Sequence, residues 1–434
     1  MKIVMIGAGY VGLVSGACFA EFGCDVTCVD TNKKKIKDLK NGRIPIYEPG
    51  LEELVKRNVS KGTLKFESNL SEAMSLSEII FIAVGTPARR GDGHADLKYV
   101  YEVAKEIGQN LDGYKLIVNK STVPVGTARE VKRIINKVNR NAYFDVASNP
   151  EFLREGSAID DFMNPDRIII GVDSDSAEEK LKKLYSKLVD NGAPILCTNL
   201  ESSELIKYAS NAFLATKISF INEISHLSEI TGGDITEISK GMGLDQRIGD
   251  KFLDAGPGYG GSCFPKDTLA LIRICQESGS SSRIVEAVVE VNAAQKARMV
   301  KKIRQSLDGS ENNKKIAIFG LTFKPGTDDM RDAPSLSILP PLIDKGAIIN
   351  AHDPQGLKEA SDLLPQEINF YTNIYESISG ADAIVLMTEW EDYRDLDYEK
   401  ILNIMKGNTI IDLRNFYNPK KMQKIGFKYH SVGR

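Results

Sequence analysis

Chemistry concentrates in Gly256-Pro-Gly-Tyr-Gly-Gly-Ser-Cys263-Phe-Pro-Lys-Asp267. Pro265 suits the first turn of a helix and Ser262 suits an N-cap, so Cys263 falls at a helix N-terminus, where partial positive charge lowers a thiol pKa and favours a nucleophile. Asp267 follows at i+4, on the same face if the helix includes both. An isolated cysteine is ordinarily a small buried hydrophobe, but six neighbouring turn residues together with Lys266 and Asp267 reverse that reading here. Lys207 and Asn211, again i and i+4, are polar residues inside apolar text and project together; a snorkelling surface lysine fits the spacing equally well. Glu151 and Glu155 in Asn149-Pro-Glu-Phe-Leu-Arg-Glu-Gly156 follow a strand end, although surface carboxylates are common and prove little alone.

A second kind of chemistry lies at the N-terminus. Gly7-Ala8-Gly9-Tyr10-Val11-Gly12 follows the apolar run Ile3–Ile6, opens the stretch Leu13–Phe22, and is followed by Asp30 at the end of the next strand. Glycines so placed allow a tight turn and let backbone N–H groups reach a pyrophosphate, while Asp30 accepts from the adenosine ribose. A carboxylate there repels a ribose 2′-phosphate, so NAD is preferred over NADP; of Lys33, Lys34 and Lys35, at least two read as a solvated helix face. Gly85-Thr86-Pro87 and Ser121-Thr122-Val-Pro124 also end strands, where ligands sit in open α/β sheets. With a dinucleotide taking hydride, simple alcohol oxidation needs no cysteine nucleophile. A thiolate beside it points to oxidation beyond the aldehyde, through a thiohemiacetal and a thioester that must then be hydrolysed.

The elements that must position these groups show in the rhythm of the chain. Ile3–Ile6, Val26–Val29, Ile79–Val84, Leu116–Val118, Val146–Ala147 and Ile168–Ile170 are β-branched runs bounded by turn residues and separated by amphipathic stretches, the βαβ pattern of a parallel, doubly wound sheet. From Glu201 to about Ile230 one stretch without Pro or Gly carries apolar residues on more than one stripe, which predicts a long helix buried on several sides. A Gly-rich segment from Gly241 to Gly261 and further helical text come next, and Asp308-Gly-Ser-Glu-Asn-Asn313 reads as a surface connection. Strand rhythm resumes at Ile316–Phe319, Ile348–Ala351, Ala383–Met387 and Thr409–Leu413, with Gly320 and Asp353 echoing Gly7 and Asp30. The expected fold is α/β: two Rossmann-like doubly wound domains joined by a long central helix and a helical middle domain, divided at 1–200, 201–308 and 309–434.

Composition excludes several function classes. The 434 residues suffice for two or three domains, each with its own core. Lys plus Arg number 56 against 59 Asp plus Glu, a net charge of −3 that argues against bulk nucleic-acid binding. No run of about 18 apolar residues and no cleavable leader is visible, which fits a mature cytoplasmic chain without a membrane partner. Six cysteines form no C-x-x-C pair and four histidines are scattered, so no metal site is expected and the thiols are expected to be reduced.

These motifs together resemble the UDP-glucose/GDP-mannose dehydrogenases over essentially the whole chain, through Gly7–Gly12, Gly85-Thr-Pro87, Ser121-Thr-Val-Pro-Val-Gly126, Asn149–Gly156, Gly258–Asp267, and Phe323-Lys-Pro-Gly-Thr-Asp-Asp329 with Arg331. The cysteine segment looks like the UDP-glucose branch, and the resemblance implies a four-electron, NAD-dependent oxidation of UDP-glucose to UDP-glucuronate. It implies Cys263 as nucleophile, Lys207 with Asn211 supporting an oxyanion, Asp267 and Thr122 holding the water, and Glu151 as a further acid/base or water-positioning group. It implies NAD contacts from Gly7, Ala8, Gly9, Tyr10, Val11, Gly12, Asp30, Lys35, Gly85, Thr86, Pro87, Ser121, Thr122, Glu155, Cys263, Lys266 and Arg331. Substrate contacts implied in the same way are Glu151, Phe152, Leu153, Lys207, Asn211, Arg247, Phe252, Tyr259, Gly260, Phe323, Lys324 and Arg414, with the sugar nucleotide between the domains. In the family Arg247 reaches a neighbouring subunit's substrate and the long helix forms the dimer core, so at least a homodimer is expected. A departure from the family's familiar text lies at Ala88-Arg-Arg-Gly-Asp-Gly-His94. Two alternatives stay open: the same chemistry on a UDP-N-acetylhexosamine, and a sensor that binds NAD or a nucleotide sugar without turnover.

Overall fold

The structure is a computed structural model and describes residues 1–89 and 93–434. The middle of the Ala88–His94 departure therefore lies outside the described residues. Contacts divide the chain into two compact units, Met1–Ser210 with Arg273–Gly279, and Asn211–Ile272 with Ser280–Arg434.

The first unit is built on β1 (Lys2–Ile6), β2 (Asp25–Val29), β3 (Leu64–Glu67), β4 (Ile79–Ile82), β5 (Lys115–Asn119), β6 (Phe144–Ser148), β7 (Ile168–Gly171) and β8 (Ile195–Thr198), ordered β3-β2-β1-β4-β5-β6-β7-β8. Successive side chains of a strand point to opposite faces, and both faces here are dry. Ile3 and Met5 with Ile79 and Phe81 enter one core, while Val4 and Ile6 with Ile80 and Ile82 enter another. That is why these strands read as unbroken apolar runs. The sheet is not wholly parallel as expected: β7 meets β6 antiparallel through Ser148 and Gly171, and β8 then pairs parallel to β7.

The second unit repeats the plan with β9 (Lys315–Phe319), β10 (Ile348–His352), β11 (Asn369–Phe370), β12 (Ala383–Leu386), β13 (Thr409–Asp412) and β14 (Lys428–Ser431), all parallel, in the order β11-β10-β9-β12-β13-β14. Ile316 and Ile318 face one core, Ala317 and Phe319 the other. The echo of Gly7 and Asp30 is structural. Ala8 N–H donates to Asp30 Oδ2 at 3.1 Å, and Leu321 N–H donates to Asp353 Oδ2 at 2.7 Å.

The helices that hold or flank the chemistry-bearing residues are α1 (Tyr10–Glu21), α2 (Thr127–Val138), α3 (Leu200–Thr231), α4 (Phe264–Glu277) and α5 (Arg283–Ser306). The long helix is α3, 32 residues without a break. The 308–313 connection is less superficial than its composition suggests, because Glu311 is buried against the Arg304 guanidinium at the end of α5. Among the described residues no helix is long and apolar enough to cross a membrane.

Candidate functional site

The turn from β1 into α1 has the geometry a dinucleotide needs. Gly7 holds φ +100°, where a Cβ would meet the Ala83 carbonyl oxygen at 2.6 Å, and a Cβ on Gly12 would be driven into the Gly7 carbonyl oxygen. Around Gly9, by contrast, a Cβ would meet nothing within 4 Å, leaving an open approach to the first N–H groups of α1. Asp30 accepts from Ala8 N, Asn32 N (2.9 Å) and Lys35 Nζ (2.8 Å). Burial pushes its carboxyl up, but hydrogen bonds from Lys35, Asn32 and Ala8 outweigh that and hold it below the usual range. An ionised carboxylate has about four acceptor positions, so a ribose hydroxyl still finds one. Lys33 and Lys34 are exposed. These residues fit a bound NAD.

Neighbouring strand ends are tied together by hydroxyls. Thr86 Oγ1 donates to the Thr122 carbonyl at 2.8 Å and Ser121 Oγ to the Val84 carbonyl at 2.7 Å, so the turns after β4 and β5 are one hydrogen-bonded rim beside Gly85 and Pro87. Tyr10 donates to Glu48, a carboxylate that also accepts from Gly156 N (2.6 Å) and Ala158 N (2.7 Å). It pins the Glu155-Gly156 turn under α1.

Beyond β6 the chain enters Asn149-Pro-Glu151. Glu151 is 6% exposed, accepts from Leu153 N at 2.6 Å, and lies 3.3 Å from Lys207 Nζ on α3. Lys207, 3% exposed, also stands 5.1 Å above the Phe152 ring. A surface snorkel is thereby excluded: the ammonium is inside, paired with a carboxylate.

In the second unit α4 begins at Phe264, one residue later than the sequence suggests. Cys263 rather than Ser262 takes the capping position, its carbonyl accepting Asp267 N–H at 2.9 Å; Ser262 Oγ lies 3.5 Å from Cys263 Sγ. Gly261 N–H donates to the Arg331 carbonyl at 2.8 Å, which ties the Gly-rich loop to the segment around Arg331. Asp267 is fully buried and accepts from Asn211 Nδ2 (2.6 Å) and Lys266 Nζ (2.5 Å). Asn211 and Asp267 are therefore one polar pair, with a cysteine one helical turn before the carboxylate.

Around this pair, Tyr259 and Phe252 approach the Phe264 ring edge-on at 6.0 and 6.1 Å. Phe252 holds φ +64°, a strained setting for a bulky residue and one that clusters at functional sites. A Cβ on Gly260 would strike the Asp332 carbonyl. Lys324 lies over the Phe323 ring at 5.5 Å, and Arg414 donates to the Phe323 and Met387 carbonyls while facing Glu389 at 3.0 Å. Arg331 pairs with Asp329 at 2.8 Å. Arg247 stands apart: its side chain is 89% exposed and, among the described residues, is ion-paired with Asp245 of its own loop.

Three buried groups escape a reading by residue type. Lys120 lies behind the 149–151 turn, Glu48 beneath Tyr10, and Glu204 on α3 receives Gly126 N (2.6 Å) and Ala128 N (2.8 Å) from the start of α2. Their partners lie 29, 110 and 76 residues away in the chain for Lys120, Glu48 and Glu204 respectively, so local spacing does not mark them.

Comparison with known proteins agrees on one group. Three domains of the UDP-glucose/GDP-mannose dehydrogenase family match in succession: the NAD binding domain over residues 1–189, the central domain over 201–294 and the UDP binding domain over 317–419. The chain is 52% identical to UDP-glucose 6-dehydrogenase of Rhizobium meliloti (strain 1021), with all of both chains covered. It is 49% identical to UDP-glucose 6-dehydrogenase TuaD of Bacillus subtilis (strain 168), covering all of this chain and 93% of the relative. Among solved structures, a UDP-glucose dehydrogenase from Pyrobaculum islandicum is similar with a TM-score of 0.91 and 38% identity, covering 99% of this chain and 96% of that one.

Proposed function

The chain belongs to the UDP-glucose/GDP-mannose dehydrogenase family and is an NAD-dependent dehydrogenase, and on that premise we propose that it oxidises UDP-glucose to UDP-glucuronate through a covalent intermediate on Cys263. The observation that carries this reading is the cysteine at the head of α4 with buried Asp267, already bonded to Asn211 and Lys266, one turn behind it. A helix N-terminus favours an anion at that place.

Bound NAD supplies the hydride acceptor for both oxidations, one molecule for each. On this reading a water held by Asp267 and Thr122 takes the proton of the C6 hydroxyl as hydride leaves, giving the aldehyde. The Cys263 thiolate then adds to the aldehyde carbon, and the new oxyanion is met by the Lys207 ammonium and the Asn211 amide, charge stabilisation that counts most in a dry site. Loss of the second hydride leaves a thioester. Water then adds to its carbonyl, the carbon–sulfur bond breaks, and the carboxylate leaves with the thiol regenerated. Glu151, ion-paired to Lys207, positions water or shuttles its proton.

In this assignment residues 1–200 bind NAD, 201–308 form the helical dimerisation region, and 309–434 hold the UDP-sugar, with Phe323, Lys324 and Arg414 among its contacts. Exposed Phe213, Phe220 and Leu227 recur along one stripe of α3 and support a homodimer. Arg247, exposed and paired within its own loop with Asp245, suits a reach into a neighbouring subunit. Six unbridged thiols suit a reducing, cytoplasmic setting.

The test is the endpoint ratio of NADH formed to UDP-glucose consumed in excess NAD. Two NADH per sugar, with UDP-glucuronate as product, is expected. One would mean release at the aldehyde, and none with UDP-glucose but turnover with a UDP-N-acetylhexosamine would move the assignment to that sugar. Cys263→Ser is expected to bind NAD normally and to stop acid formation; near-normal acid production by this variant overturns the covalent route.

A further inference from the structure

Lys120 is a buried lysine to which the proposed reaction gives no task. It follows β5 directly, its backbone N–H bonds the Ile82 carbonyl at 2.9 Å, and the residue is 4% exposed. Its ammonium donates to Asn149 Oδ1 at 3.1 Å and stands 3.5 Å from the Tyr185 hydroxyl. Tyr185 in turn donates to the same Asn149 oxygen at 2.5 Å, and Asn149 Nδ2 donates to the Ile169 carbonyl at 2.8 Å. Among the described residues its two hydrogen-bond partners are neutral, and the Phe81 ring lies 5.9 Å from it. A buried cation without a carboxylate in direct contact is costly and is retained where its charge does something.

The charged groups that bear on Lys120 are Glu151, on the turn that Asn149 begins, and Lys207 of α3. Those two are themselves ion-paired at 3.3 Å. Lys120 therefore lies behind the Glu151 turn and immediately before Ser121-Thr122.

We propose that Lys120 is a positioning residue: its ammonium holds the Asn149-Pro150-Glu151 turn through Asn149 Oδ1 and supplies a second positive charge to the Glu151–Lys207 pair. The inference rests on the proposed roles of Glu151 and Lys207. Burial pulls the Lys120 ammonium down to about 8, with the charge of Glu151 drawing it back up and that of Lys207 pushing it further down. The second charge is thus lost over a narrow and accessible pH range, and support for a developing oxyanion falls with it.

The experiment is the pH profile of kcat for UDP-glucose, with thermal stability followed in parallel, for the wild type, Lys120→Met, Lys120→Arg and Glu151→Gln. Wild-type turnover is expected to decline as pH rises through about 8. Lys120→Met loses that inflection and lies on the order of tenfold lower below it, short of the hundredfold or more that a direct oxyanion donor costs. Lys120→Arg restores turnover and carries it to higher pH, because guanidinium keeps its proton. Should Lys120→Met fail to fold, Tyr185→Phe removes one acceptor while keeping the ring, and the inflection moves to lower pH. Variants that lose only thermal stability, with the inflection in place, overturn the proposal. Wild-type turnover by Glu151→Gln overturns instead the reading on which the proposal rests.

Discussion

Replacing Glu204 by glutamine isolates a buried carboxylate that clamps α2 to α3. The side chain is 2% exposed and accepts two backbone N–H groups, Gly126 and Ala128, at the head of α2. Burial pushes its carboxyl up to about 7; the bonds from Ala128 and Gly126 pull it back, neighbouring Glu201 raises it and Arg129 lowers it. Below the ordinary carboxyl value of 4.5 both folded and unfolded chains hold the proton. As pH rises above that the unfolded chain sheds it first, so stability falls until the folded group also ionises near 7 and then levels off. At about 1.4 kcal/mol per pH unit, that gap is worth about 3 kcal/mol. Glutamine does not titrate; it leaves one N–H without its acceptor at every pH, a constant offset of about 1–3 kcal/mol. The stability of the wild type minus that of Glu204→Gln, from urea unfolding at several pH values, should therefore drop by about 3 kcal/mol between about pH 4 and pH 8. A difference that stays level across that range refutes the argument, and one that grows reverses its sign.

Gly12→Ala is expected to abolish NAD binding, because the added methyl meets the Gly7 carbonyl and forces apart the turn that presents the N–H groups of α1; calorimetric titration showing near-normal affinity contradicts this. Phe19→Ala should cost about 3–5 kcal/mol, since the ring is fully buried, stacks on Phe81 at 5.4 Å and meets Phe162 edge-on at 5.0 Å. Chemical unfolding that shows less than about 1 kcal/mol would mean that the site collapses around the gap.

The strands that escape a reading of the sequence are β3, β8, β11 and β14, and each is a sheet edge. An edge strand is paired on one side and partly wet, as in Leu64-Lys-Phe-Glu67 and Lys428-Tyr-His-Ser431, so it lacks the continuous apolar run of β4 or β12. Its existence depends on a neighbour that sequence periodicity does not name. The antiparallel entry of β7 is hidden for the same reason, because Ile168–Ile170 is equally apolar in either direction.

The candidate site divides along a similar line. Cys263, Asp30 and the glycines stand out because backbone geometry and reactivity demand those residue types at short spacings, within a turn or within one βαβ unit, whereas the spacing of Lys207 and Glu151 fits a surface lysine and a surface carboxylate equally well. Glu48, Lys120 and Glu204 do their work across 108, 29 and 76 residues of chain, on Gly156, Asn149 and Ala128 respectively, and no local pattern marks them. Local physics in the sequence determined which helices and central strands form and where the tight-turn glycines and a cysteine at the head of a helix stand. Only the tertiary structure decided which lysine is paired, which carboxylate is buried, and which turn each one holds. Those are outcomes of desolvation, and desolvation belongs to the assembled fold rather than to any segment of it.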